Sequence, residues 1–207
     1  AVDDAVGAVL DRLQKHKITE KTLIIFTGDN GWSGGQNGIW GMGDHTRPKC
    51  AFDATMRVPL IWWQPGVIPS RAVREQVSHA DLFPSLLGHL RLNPQLPARQ
   101  KLTGHDYSAA LSGGKLGDWH RPVFYEYEEL RCVRTTTAKL ILRHGSDINE
   151  LYDLKADPGE ETNLYGKAES AELQAELTQL LTSYFEATTH PEFDLWNGGR
   201  SKAHLLK

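Results

Sequence analysis

Apolar positions along the chain follow the helix period at its two ends and a strand pattern between. Val2, Ala5, Val6, Val9, Leu10 and Leu13 recur at steps of three and four, which predicts an amphipathic helix over residues 2–16. Asp3 and Asp4 in its first turn, and Lys15, His16 and Lys17 at its end, match the helix dipole. Residues 22–27, Thr-Leu-Ile-Ile-Phe-Thr, show hardly any polar alternation. That pattern predicts a strand covered on both faces, as in a parallel sheet with helices on each side. A second apolar run, residues 58–63, stops at the turn signal Gln64-Pro65-Gly66. Between the two runs the pattern loses all period, and glycines stand at 28, 31, 34, 35, 38, 41 and 43. Loops this long are uncommon in compact domains unless they are functional or disordered. Trp32, Ile39 and Trp40 predict that this one packs down. Residues 81–90 read as a helix with Asp81 at or near its cap and Pro84 in the first turn, where the missing N–H costs little.

Pro94, Pro97, Gly104, Gly113 and Gly114 punctuate residues 91–117, the expected seam. Beyond it, short β-prone runs at 122–127, 131–135, 138–143 and 150–154 suit an antiparallel meander. Asp157-Pro158-Gly159 is a turn. Leu173, Leu177, Leu180, Leu181, Tyr184 and Phe185 stripe a last helix over residues 168–187, and residues 193–207 are polar and unpatterned. The expected class is therefore α/β. Residues 1–105 would be part of a mostly parallel sheet flanked by helices. Residues 106–207 would form a small antiparallel sheet with one C-terminal helix.

A chain of 207 residues, 40% hydrophobic, is long enough to bury a core. A net charge of −3 gives no overall electrostatic case for nucleic acid. No apolar stretch approaches the roughly 20 residues of a membrane span. Cys50 and Cys132 are too few for a disulfide framework, and their pairing is not readable. The chain opens inside a helical pattern without an initiator Met, so an upstream segment, with any targeting signal, is expected.

Chemistry concentrates where the first strand ends. Asp29 and Asn30 bring a carboxylate and an amide carbonyl, hard oxygens of the kind Ca²⁺ and Mg²⁺ take. Two adjacent donors can belong to such a site but cannot complete it. An ordinary turn reads equally well, because Asp-Asn-Gly tolerates left-handed backbone. The strand before the pair and the glycine-rich loop behind it favour a ligand site at a strand's C-terminal end.

Residues 22–31, Thr-Leu-Ile-Ile-Phe-Thr-Gly-Asp-Asn-Gly, resemble the sulfatase family of the alkaline phosphatase superfamily. So do Asn37-Gly38-Ile39-Trp40-Gly41-Met42-Gly43, residues 57–62 (Arg-Val-Pro-Leu-Ile-Trp) and Asp81-Leu82-Phe83-Pro84-Ser85. Glu150-Leu151-Tyr152-Asp153-Leu154, continuing through Asp157-Pro158-Gly159-Glu160 to Thr162-Asn163-Leu164, is similar to the family's C-terminal signature. The five pieces occur in family order across residues 1–165. The resemblance implies hydrolysis of sulfate esters by a formylglycine made from Cys or Ser in a Cys/Ser-x-Pro-x-Arg motif. It also implies a Ca²⁺ (sometimes Mg²⁺) that polarises the sulfate, with Asp29 and Asn30 as two of its ligands. Further ligands and the nucleophile would come from upstream.

The chain departs from that pattern in three ways. It has no Cys/Ser-x-Pro-x-Arg motif, so the catalytic nucleophile is expected in a missing N-terminal segment. Met42 stands where the family usually has a Lys contacting the sulfate, and a thioether cannot make a charge-assisted bond. Asn37 stands where a His often precedes the glycine. His45, Arg47 and Lys49 follow Met42; they read as a solvated basic loop, with the alternative that one of them, such as His45, takes over the contact with substrate. The resemblance thus implies a metal-dependent sulfuric ester hydrolase acting on a sulfated small molecule or glycan, in a periplasmic, secreted or lysosomal setting. Its rivals are a non-catalytic relative that keeps the fold and a phosphoesterase of the same superfamily.

Overall fold

The computed structural model describes residues 1–43, 46–92, 102–119, 121–145 and 148–199. Along the chain the elements are helix α1 (Val2–Lys15), strands β1 (Ile24–Thr27), β2 (Ser33–Gly34) and β3 (Trp40–Gly41), helix α2 (Asp53–Met56) and strand β4 (Leu60–Trp63). Helices α3 (Leu82–His89) and α4 (Ser108–Leu111) follow, then strands β5 (Val123–Tyr127), β6 (Leu130–Arg134), β7 (Ala138–Arg143) and β8 (Glu150–Asp153), and helix α5 (Ala171–Thr188). These divide into two compact units. One holds Ala1–Asp29 and Val58–Trp119; the other holds Asn30–Arg57 and His120–Lys207. The glycine-rich loop therefore groups with the later sheet, and the division falls at 119 rather than near 105.

In the first unit, β1 and β4 pair antiparallel, with Ile24 opposite Trp63 and Phe26 opposite Ile61. The mixed α/β class stands as expected, but the strand pair contributed here is antiparallel where a mostly parallel sheet was expected. Nor is β1 covered on both faces. Phe26, Ile61 and Trp63 share one face and are exposed, while Trp62 on the other donates its indole N–H to the Tyr107 hydroxyl at 3.0 Å. An uninterrupted apolar run states that both faces are apolar; it does not state that both are covered. α1 likewise has its predicted stripe, yet none of its residues is fully buried.

The second unit is built on the expected meander, in the order β5-β6-β7-β8, every pair antiparallel. Period-two alternation sends Val133, Ala138 and Leu140 toward Leu177, Leu181 and Phe185 of α5. The opposite face carries Leu130, Cys132 and Ile141 and is covered by Cys50, Ala51 and Phe52, the segment leading into α2. Asp194, past the end of α5, is buried and pairs with Arg131 at 2.8 Å, whose guanidinium lies over the Phe185 ring.

Candidate functional site

β1 delivers the chain to Gly28 and Asp29, and Asp29 is exposed. Asn30 is half-buried, and its amide donates to the Gly31 carbonyl at 2.7 Å, which fixes the rotation of the side chain. Gly31 in turn donates its N–H to the Thr55 carbonyl of α2 at 2.9 Å. A Cβ at this position would lie 2.4 Å from the Ala54 carbonyl oxygen, so only glycine allows the approach.

β2 and β3 then form a tight hairpin, with Ser33 opposite Gly41 and Gly34 opposite Trp40. Buried Ser33 holds it from below, its hydroxyl 2.8 Å from the Ile39 carbonyl and 2.9 Å from that of Gln36. Ile39 packs against the core as expected. Trp32 and Trp40 do not; they are 55% and 72% exposed, because they share the hairpin face opposite Ser33.

Met42 is half-buried between two glycines of positive φ, Gly41 at 135° and Gly43 at 94°. The Gly43 carbonyl accepts the Cys50 N–H at 3.1 Å and the Thr46 hydroxyl at 2.7 Å. A Cβ on Gly43 would come within 2.7 Å of the Cys50 carbonyl and 3.2 Å of the Thr55 hydroxyl. Gly31 and Gly43, one on each side of the hairpin, thus both rest on the short helix α2.

That helix is tied to the sheet by charge. Asp53 accepts from Arg134 at 2.8 and 2.9 Å and from Lys139 at 2.6 Å. Lys139 is 1% exposed and also reaches the Ala51 carbonyl at 2.9 Å and the Glu160 carboxylate at 2.5 Å. The other Glu160 oxygen accepts the Asp53 N–H at 2.6 Å. Burial works to raise the Asp53 pKa, but hydrogen bonds from Arg134 and the charge of Lys139 outweigh it and hold the carboxyl well below its usual range. For Glu160, burial wins against Lys139 and pushes the carboxyl up. None of Asp53, Lys139, Arg134 and Glu160 was singled out as a charge cluster from sequence. The available signal was the alternation Lys139, Ile141, Arg143 along one face of β7.

His45 lies outside the described residues. Arg47 is exposed, in keeping with a solvated loop, but Lys49 is not. Lys49 is 8% exposed, pairs with Glu128 and with Glu129 (2.6 Å), and lies 5.2 Å from the centre of the Tyr127 ring. Burial lowers its pKa, yet the two carboxylates raise it further, so the charge is kept and spent on structure. Cys50 and Cys132 are free thiols and both buried; burial pushes Cys132 up to about 12, too high for a thiolate nucleophile at neutral pH.

Among the described residues no three His, Cys, Asp or Glu side chains gather as a metal set. Asp29 and Asn30 suit a hard cation in donor type and fall short of one in number. No helix among these residues is long and apolar enough to cross a membrane.

The chain is thus of the mixed α/β class, with a polar, glycine-framed loop following strand β1. Comparison with known proteins narrows that class. Residues 1–92 match the sulfatase family model. Over 195 residues the chain is 31% identical to an N-acetylglucosamine-6-O-sulfatase of Bacteroides thetaiotaomicron, covering 87% of this chain and 33% of that protein. A protein solved in complex with its substrate D-glucosamine-2-N,6-O-disulfate superposes with a TM-score of 0.72 at 28% identity, over 91% of this chain and 39% of the other. The phosphonate monoester hydrolase of Agrobacterium radiobacter superposes with a TM-score of 0.76 at 27% identity, over 90% and 39%. The chain belongs to the sulfatase family. It spans about a third of the length of the N-acetylglucosamine-6-O-sulfatase just described.

Proposed function

We propose that the protein to which this chain contributes hydrolyses sulfate esters of amino sugars, using a formylglycine carried on sequence upstream of Ala1. The reading is supported by one observation above the others: the Gly28-Asp29-Asn30-Gly31 stretch, at the end of β1, occurs in a chain of the sulfatase family. Asp29 and Asn30 would hold Ca²⁺, or alternatively Mg²⁺, together with upstream ligands. When bound, the cation would supply positive charge against the sulfate oxygens. Asn30 presents its amide in an orientation set by the Gly31 carbonyl. In this reading Met42, next to the pinned Gly43, stands at the position of the family's substrate-contacting Lys, and His45 follows it in sequence. Names and substrates of the matched proteins point to sulfated hexosamines as the substrate class.

Met42 carries the test. In the longer protein, Met42→Lys should raise aryl sulfate turnover by about 10²–10³, the worth of one donor to developing negative charge. Absence of turnover with either residue would favour a binding protein that keeps the fold. A second reading, hydrolysis of phosphonate or phosphate esters, draws on the likeness to the phosphonate monoester hydrolase. Assaying both ester types side by side separates the two.

A further inference from the structure

We infer that Asn37 is a positioning residue, a bracket that fixes the glycine-rich loop to the turn at residues 157–160, and not the remnant of a catalytic histidine. Its backbone sits in the left-handed region at φ 55°, ψ 24°, which asparagine tolerates better than most residues. Its side chain spends both amide hydrogens on that turn: Nδ2 lies 2.8 Å from the Gly159 carbonyl and 2.9 Å from that of Glu160. One NH₂ group carries two donors on one atom, the number two adjacent carbonyls require. An imidazole spreads its nitrogens across a ring and cannot repeat the pattern.

The same turn holds the loop a second time. Glu160, itself at φ 57°, turns its carboxylate to the Asp53 N–H at the start of α2 and to Lys139. Residues 37 and 53 are therefore both fastened to one short turn, and Met42 lies between them in sequence. The loop also closes on α2 at Gly31 and Gly43. Asn37 acts on the proposed site through the backbone that carries Met42. This second role rests on the sulfatase reading; the bracket itself does not.

The experiment compares Asn37→Gly, Asn37→Asp and Asn37→His in the longer protein. Hydrogen exchange reads the bracket without requiring activity. Asn37→Gly keeps the backbone angle and loses the donors, and should speed exchange about tenfold at both 36–43 and 157–162, leaving β6 and α5 unchanged. Asn37→Asp, which sets a carboxylate against two carbonyls, should do at least as much. Unchanged exchange at 157–162 in both variants would overturn the bracket. Turnover of 4-nitrophenyl sulfate with added Ca²⁺ reads the positioning: Asn37→Gly and Asn37→His should both lower kcat. A gain in turnover with His would overturn the proposal by showing that the position is catalytic. A wild-type protein that neither binds Ca²⁺ nor turns over the ester would sink the sulfatase reading, and the exchange result would still decide the bracket.

Discussion

Gly31 has no room for a methyl group. Its Cβ would sit 2.4 Å from the Ala54 carbonyl oxygen and 3.0 Å from the Thr55 carbonyl carbon, both backbone atoms. Relief requires α2 to move, and Gly43 rests on the same helix. Gly31→Ala should therefore cost about 1–3 kcal/mol in thermal unfolding. Gly34→Ala, whose nearest atom is the Gln36 amide oxygen at 3.8 Å, should stay within about 0.5 kcal/mol. In sequence both glycines look like loop punctuation. What distinguishes them is a neighbour more than twenty residues away, which no local pattern encodes. Lys49 teaches the same lesson with charge: it reads as a solvated loop cation until Glu128 and Glu129 are brought beside it.

At the scale of elements, α2 is a single turn of four residues, too short to persist by itself. Its hold on the sheet passes through Asp53. Because the native Asp53 pKa is lowered, its contribution to stability is complete above the unfolded value of about 4 and is lost as pH falls through the lower native value. Asp53→Asn should cost about 3 kcal/mol at neutral pH by leaving Lys139 and Arg134 short of a partner. In denaturant titrations the gap to wild type should close as pH drops below about 4. A gap independent of pH would assign the stabilisation to packing instead. The four strands of the meander were legible from their β-prone runs, and α5 from its leucine stripe. Alternation also shows which residues share a face. It does not show what covers that face, so nothing in the sequence marks Lys139 and Arg143 as buried. Both point at the segment 49–53, where Arg143 donates to the Lys49 carbonyl at 2.7 Å.

For the molecule as a whole, the α/β class and the small antiparallel sheet followed from pattern alone. The pairing sense of β1 and β4 did not, since an apolar strand looks the same in either direction. In the first unit, Val2, Val9, Phe26 and Ile61 remain exposed. Exposed apolar faces of this kind mark contact surfaces or aggregation hazards. The 207-residue chain purified as such should bind a hydrophobic dye and associate with rising concentration, as gel filtration would show. It should also show no detectable sulfate ester turnover, since Cys132 is buried with its thiol pushed up to about 12 and no formylglycine motif is present. Clear turnover would overturn the assignment of the nucleophile to upstream sequence.

The hairpin holds its two tryptophans in water on a base that Ser33 fixes from beneath. Indole emission shifts to shorter wavelength when water leaves the ring. Trp32 and Trp40 therefore give the loop a native fluorescence signal, and whatever comes to rest on that surface, cation-linked ester or neighbouring polypeptide, can be followed by colour without attaching a label.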